Sequence, residues 1–226
     1  MIRERAVTQV ISVVQEKGGA GKTTLLITLA SLMVADGARV AVIDTDPQHN
    51  LEDWAKKEET DLDWIFEDND EKLIPTIRAL KKASPAYDVI LVDTAGFKSA
   101  MAVYAINAAG LVLIPSKANE SDAKGAIKTY RHVHGVADSM DKDISAYVVM
   151  MDVDPNTNIT EAILASLEEQ EVPRLNAMCA HRTGFKEMMS TGRGPEGSAK
   201  RSAQSVLAEL QIKGLLDYYG GHNGKA

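Results

Sequence analysis

The stretch Gln15-Glu16-Lys17-Gly18-Gly19-Ala20-Gly21-Lys22-Thr23-Thr24 follows an apolar run, Thr8–Gln15, and leads into Leu25, Leu29, Leu32 and Met33 at helical spacing. Gly18, Gly19 and Gly21 let the backbone curl so that successive N–H groups face inward. The positive N-terminal end of the following helix adds to them, and the result is a cradle for phosphate. Lys22 stands where it reaches β- and γ-phosphates, and the Thr23 hydroxyl where it ligates Mg²⁺. The plain alternative is a glycine turn with Lys22 as a solvated cation. That alternative leaves the order of strand, glycine spacing, Gly-Lys-Thr and helix unexplained, so the stretch reads as a nucleotide site. The usual pattern asks for glycine where Glu16 stands, and a second lysine, Lys17, precedes Gly18. Two cations in one tight loop repel each other unless one finds an anion elsewhere. Lys17 pointing out of its own loop, toward the phosphates of a second copy, would relieve that repulsion; an ordinary exposed lysine is the other reading.

Apolar β-branched runs recur at Ala38–Ile43, Tyr87–Val92, Gly110–Ile114 and Ile144–Met151, with a weaker one near Val172–Met178. Between them lie stretches of helical spacing, such as Ile74, Ile77 and Leu80. Near-continuous apolar strands separated by helices predict an α/β fold, a mostly parallel twisted sheet with helices on both faces. Ligands of such sheets bind at the carboxyl ends of the strands. The second and third runs end in Asp44-Thr45-Asp46-Pro47-Gln48 and Asp93-Thr94-Ala95-Gly96. A carboxylate there can orient water or hold Mg²⁺ through water, and Gly96 can offer its N–H to a γ-phosphate. For Asp46 the competing reading is an Asx turn, since Asp-Pro often opens one.

The 226 residues are 45% hydrophobic, enough for a core, and read as one domain over residues 1–226. No run of 18 apolar residues and no signal-peptide core occurs, so a soluble cytoplasmic protein is expected. The lone Cys179 excludes an internal disulfide or a four-cysteine metal site within one chain. The net charge of −7 sits in residues 52–72, which carry ten acids and three lysines. From Arg174 onward eight bases face four acids, a basic region over 174–213 followed by a flexible tail at 220–226. His132 and His134 point to different faces of a helix and make a poor metal pair. Trp54 and Trp64 read either as core anchors of a solvated acidic segment or as a docking surface.

Lys17-Gly18-Gly19-Ala20-Gly21-Lys22-Thr23-Thr24 resembles the deviant Walker A box of the ParA/MinD family of P-loop ATPases, whose signature is the first lysine. The boxes at Asp44–Gln48, Asp93–Gly96 and Leu111–Pro115 match in order and spacing, so the resemblance covers about Val10 to Gly192. It implies ATP and Mg²⁺ as cofactors and an ATP-sandwich homodimer in which Lys17 crosses to the partner's nucleotide. Gly18 to Thr24 would hold the phosphates in their own subunit, with Lys22 catalytic and Thr23, Asp44 and Asp93 around the metal. Asp46 would position the attacking water, and the loop from Thr94 to Lys98 would report ATP against ADP. Base recognition would fall near Asp152 and Pro173–Asn176, where this sequence departs from the commoner family pattern.

With the phosphate loop starting so early, the chain resembles the small ParA branch, without an N-terminal DNA-binding domain. The tail Tyr218–Ala226 makes a poor membrane helix, so no membrane partner is expected. Nonspecific, nucleoid-associated DNA binding is expected instead, with Arg182, Lys186, Arg193, Lys200 and Arg201 as candidates, together with a ParB-like or other adaptor that triggers hydrolysis. Solvated helix-face charges are the alternative for each of these five. The cargo would be plasmid or chromosomal DNA or a protein cluster. Some small relatives assist conjugation-like DNA transfer, and Ala118–Val133 is similar to these. A metabolic ligase of the dethiobiotin-synthetase kind shares the fold but fits Lys17 and the Asp44–Gln48 box less well.

Overall fold

Residue alternation within each strand explains the architecture. The computed structural model describes residues 7–57, 62–96 and 100–218. Its elements in chain order are β1 (Gln9–Val13), α1 (Lys22–Ala35), β2 (Val40–Asp44), α2 (Asn50–Ala55), β3 (Asp63–Phe66), α3 (Asp70–Lys81), β4 (Val89–Asp93), α4 (Ala100–Ala108), β5 (Leu111–Ser116), α5 (Glu120–Ser139), β6 (Ser145–Val153), α6 (Asn158–Glu169), β7 (Cys179–Ala180), α7 (Thr183–Thr191) and α8 (Gly197–Ile212). The strands form one seven-stranded sheet in the order β3-β2-β4-β1-β5-β6-β7, and every pairing is parallel.

Ile11 and Val13 of β1, Val40 and Val42 of β2, Val89 and Leu91 of β4, and Leu111 and Leu113 of β5 share one buried cluster with α1, α7 and α8. Their neighbours face the other way. Val10, Ala41, Ile43, Ile90 and Val92 pack on α3 and α4, while Val112, Ile114, Val148 and Met150 pack on α5 and α6. A sheet buried on both faces needs apolar residues at both parities, and these runs supply them.

Two sequence expectations differ from what the fold shows. The acidic segment contains β3, an edge strand whose Asp63, Trp64, Ile65 and Phe66 pair with Ala41 to Asp44. The weaker run near Val172–Met178 makes only an isolated bridge, Val148 to Arg174, and the seventh strand is Cys179–Ala180 just beyond it. The chain winds outward from β1 in both directions, which makes the carboxyl end of β1 the switch point where a crevice opens.

Candidate functional site

The phosphate loop leaves β1 at this switch point and turns into α1 through two left-handed glycines, Gly19 at φ 74° and Gly21 at φ 103°. Gly21 is the N-cap residue of α1 and no side chain caps that end, so the first backbone donors of the helix are left for a ligand or water. The cavity holds about 620 Å³ and is lined by Gly18, Gly19, Gly21, Lys22, Thr23 and Thr24 on the loop side. Asp46 and Gln48 form a second wall and Ala95 and Gly96 a third. Ala20 is fully buried under the loop.

Lys22 is buried, and burial holds its ammonium below the ordinary lysine range, opposed by the charges of Asp93 and Asp46. Thr23 Oγ1 donates a 2.7 Å hydrogen bond to Asp93 Oδ2. Asp44 and Asp93 are partners in the β2–β4 register, both buried at adjacent strand ends. Burial pushes the Asp93 carboxyl up to about 7, with the Thr23 hydrogen bond opposing it and Asp44 adding to it. Burial likewise raises Asp44, which accepts from the Asp46 backbone N–H at 2.9 Å. Asp93 Oδ1 and Asp44 Oδ2 are buried acceptors with no hydrogen-bond partner. Two adjacent buried carboxylates, each with an unsatisfied oxygen, and a threonine hydroxyl on one of them fit a hard divalent cation and its water shell.

Asp46 lines the cavity and its Oδ1 also accepts from the Gln48 N–H at 3.0 Å, so the Asx turn and the cavity position coexist. Gly96 lines the cavity, while Phe97 and Lys98 of the expected switch loop lie outside the described residues. The tail from Tyr219 onward also lies outside them.

Lys17 does not line the cavity. Its ammonium pairs with Asp122 in the first turn of α5 of the same chain. The repulsion foreseen between Lys17 and Lys22 is thus answered within one subunit.

Of the five basic candidates, Arg182 and Lys186 line the cavity, as do Met151 and Asp152 near the end of β6 and Phe185 and Met189 of α7. Arg193, Lys200 and Arg201 are exposed away from it, Lys200 and Arg201 in the first turns of α8. Asp152, at φ 56°, pairs with His181 Nδ1 beside this wall. Lys117, just past β5, also lines the cavity and went unnoticed in the sequence. Its signal was available, because it follows the end of a central strand. Pro173–Asn176 is absent from the lining residues; Glu209 instead caps the backbone N–H groups of Asn176 and Ala177. Among the described residues no group of three metal-binding side chains occurs and no helix is long and apolar enough to cross a membrane. His134 stacks edge-on against Tyr130.

Comparison with known proteins agrees with this geometry. The chain is 29% identical to Protein ParA of Rhizobium radiobacter over 206 residues, spanning 89% of this chain and 91% of the relative. It is 31% identical to Protein virC1 of the same organism over 131 residues, 55% of this chain and 56% of the relative. A structure of an aspartate-to-alanine variant of McdA from Cyanothece in complex with ATP superposes with a TM-score of 0.72 at 15% identity, covering 94% of this chain and 99% of that one. The fold is therefore that of the ParA/MinD P-loop ATPases. The family model described as VirC1 protein matches residues 8–196, and the chain belongs to the VirC1 family.

Proposed function

We propose that this chain is an Mg²⁺-dependent ATPase of the ParA-like positioning type, which closes into a dimer on ATP and releases its cargo on hydrolysis. The observation that carries this reading is the phosphate-loop cavity with Lys22 at its base and the Thr23–Asp93 hydrogen bond beside two unsatisfied carboxylate oxygens. The Gly18–Thr24 backbone holds the β- and γ-phosphates, and Lys22 balances their charge. Thr23, Asp93 and Asp44 would hold a magnesium ion, whose charge would offset that developing on the phosphoryl oxygens. Asp46 orients the attacking water. The wall of Met151, Phe185 and Met189 offers an apolar slot for a base, and Arg182 and Lys186 supply charge at its rim. ATP in the McdA structure that shares this fold supports the same ligand here.

Lys17 crosses to the partner subunit's nucleotide in the dimer. Duplex DNA is bound without sequence preference through Arg193, Lys200 and Arg201, and through Arg182 and Lys186 where nucleotide leaves them accessible. The cargo is a plasmid, a transferred strand or a protein assembly, reached through an adaptor that stimulates turnover. The test is phosphate release from ATP with and without Mg²⁺, DNA and candidate adaptors. Turnover that needs Mg²⁺, falls at least tenfold in Asp46→Ala and rises with DNA or adaptor supports the reading. Turnover that needs an organic cosubstrate instead would replace it with a ligase. DNA retention that does not weaken with salt would remove the phosphate-contact part.

A further inference from the structure

The residues just before the glycines are fastened to one face of α5. Gln15, fully buried, donates from Nε2 to the Pro115 carbonyl at 3.0 Å and accepts at Oε1 from Thr129 Oγ1 at 3.1 Å. The Glu16 N–H donates to Thr129 Oγ1 at 3.3 Å, and its carboxylate pairs with Lys128 at 2.8 Å. The helix comes so close that a Cβ on Gly125 would stand 3.0 Å from Gln15 Oε1. Lys17, next along, pairs with Asp122 on the same face.

The two members of that last pair differ in freedom. The Lys17 side chain is 42% exposed, whereas Asp122 is 2% exposed. Asp122 is fixed further by its own N–H, which donates to the N-cap Asn119 at 2.9 Å, and by its place in the first turn of α5, where the positive helix end favours a carboxylate. Lys17 can therefore swing away, and Asp122 cannot follow it. Breaking the pair leaves a buried carboxylate without its cation, a cost kept modest because the Lys17 side of the pair is open to solvent.

From this geometry we infer that Asp122 is a positioning residue that latches Lys17 onto its own subunit and so opposes closure of the nucleotide sandwich until a partner's phosphates outcompete it. The inference rests on the sandwich reading above. Asp122 touches no nucleotide in this scheme; it acts through Lys17. Two latches open per dimer, so the cost of one enters twice in the dimer constant. A few-fold effect per subunit, as for a half-exposed pair, gives about tenfold overall.

The test is the dimer dissociation constant, measured by analytical ultracentrifugation with Mg²⁺ and a non-hydrolysable ATP analogue, for the unmutated chain, Asp122→Asn and Lys17→Ala. Asp122→Asn keeps the side-chain shape, and Asp122→Ser, small and uncharged, is a second variant should the first fail to fold. The inference predicts about tenfold tighter dimers for either Asp122 variant, no change with ADP, and no gain when Asp122→Asn is added to Lys17→Ala. Unchanged or weaker dimers in the Asp122 variants, with the unmutated chain still dimerising, overturn the latch and leave the sandwich standing. Monomers throughout, at every concentration, overturn both.

Discussion

Thr23 Oγ1 donates to Asp93 Oδ2 across 2.7 Å, joining the first turn of α1 to the last residue of β4. The same carboxylate keeps its other oxygen buried and unpaired, next to Asp44. The fold thus holds side by side two carboxyl groups whose joint ionisation a packed core on its own would oppose.

Removing one of those charges should separate stability from function. Asp93→Asn keeps an acceptor for Thr23 and abolishes the buried charge. In chelator its unfolding free energy is expected to rise by on the order of 2 kcal/mol, and its ATP turnover to stop responding to Mg²⁺. Thermal unfolding in EDTA and phosphate release in Mg²⁺ check the two halves; an unchanged or lower melting temperature contradicts the first.

Gly21→Ala puts a Cβ on a residue at φ 103°, with Met151 side-chain carbons at 3.5 Å. The strain falls at the start of α1, where the N–H groups proposed to hold phosphate lie. A stability loss of about 1–2 kcal/mol is expected. Titration with a fluorescent ATP analogue should show binding weakened by at least tenfold. Unchanged affinity would mean that the loop is not the phosphate cradle.

Trp54, 2% exposed, donates its indole N–H to the Met188 and Arg193 carbonyls at 3.0 and 3.3 Å and so ties α2 to the end of α7. Trp54→Phe keeps most of the packing and removes the donor, for an expected loss of about 1–2 kcal/mol in urea unfolding. Trp64→Phe, on the half-buried edge strand, should cost less than half as much. Equal losses would contradict the assignment of Trp54 as the anchor.

Cys179 is fully buried, and burial pushes its thiol up to about 12. The thiolate needed for attack is then scarce at pH 8. A chromogenic disulfide reagent is expected to react with the native chain at least a hundredfold more slowly than with the chain in denaturant. Rapid native labelling would place the thiol at the surface.

The placement of the glycine-rich loop and of the strand-end aspartates was legible because their pattern is local: glycines, a lysine and a threonine at fixed spacing, each after an apolar run. Strand β3 was hidden because Asp63 and its acidic surroundings mask a Trp64-Ile65-Phe66 core only half buried at the sheet edge. Those three consecutive β-formers were the signal that could have found it. Arg182 and Lys186 read as surface charges because their place in the cavity wall depends on β7 lying next to β6, a long-range pairing of two residues that no local pattern announces. The partner of Lys17 was hidden for the same reason. Asp122 is over a hundred residues away, and only the order β1-β5 in the sheet brings α5 beside the loop.

ATP is proposed to join two copies through Lys17, and molar mass in solution reads this out. Light scattering on the Asp46→Ala chain with ATP and Mg²⁺ should give a dimer, with ADP a monomer, and the further change Lys17→Ala should return the ATP sample to monomer. A mass indifferent to nucleotide, or a dimer that survives Lys17→Ala undiminished, would contradict it.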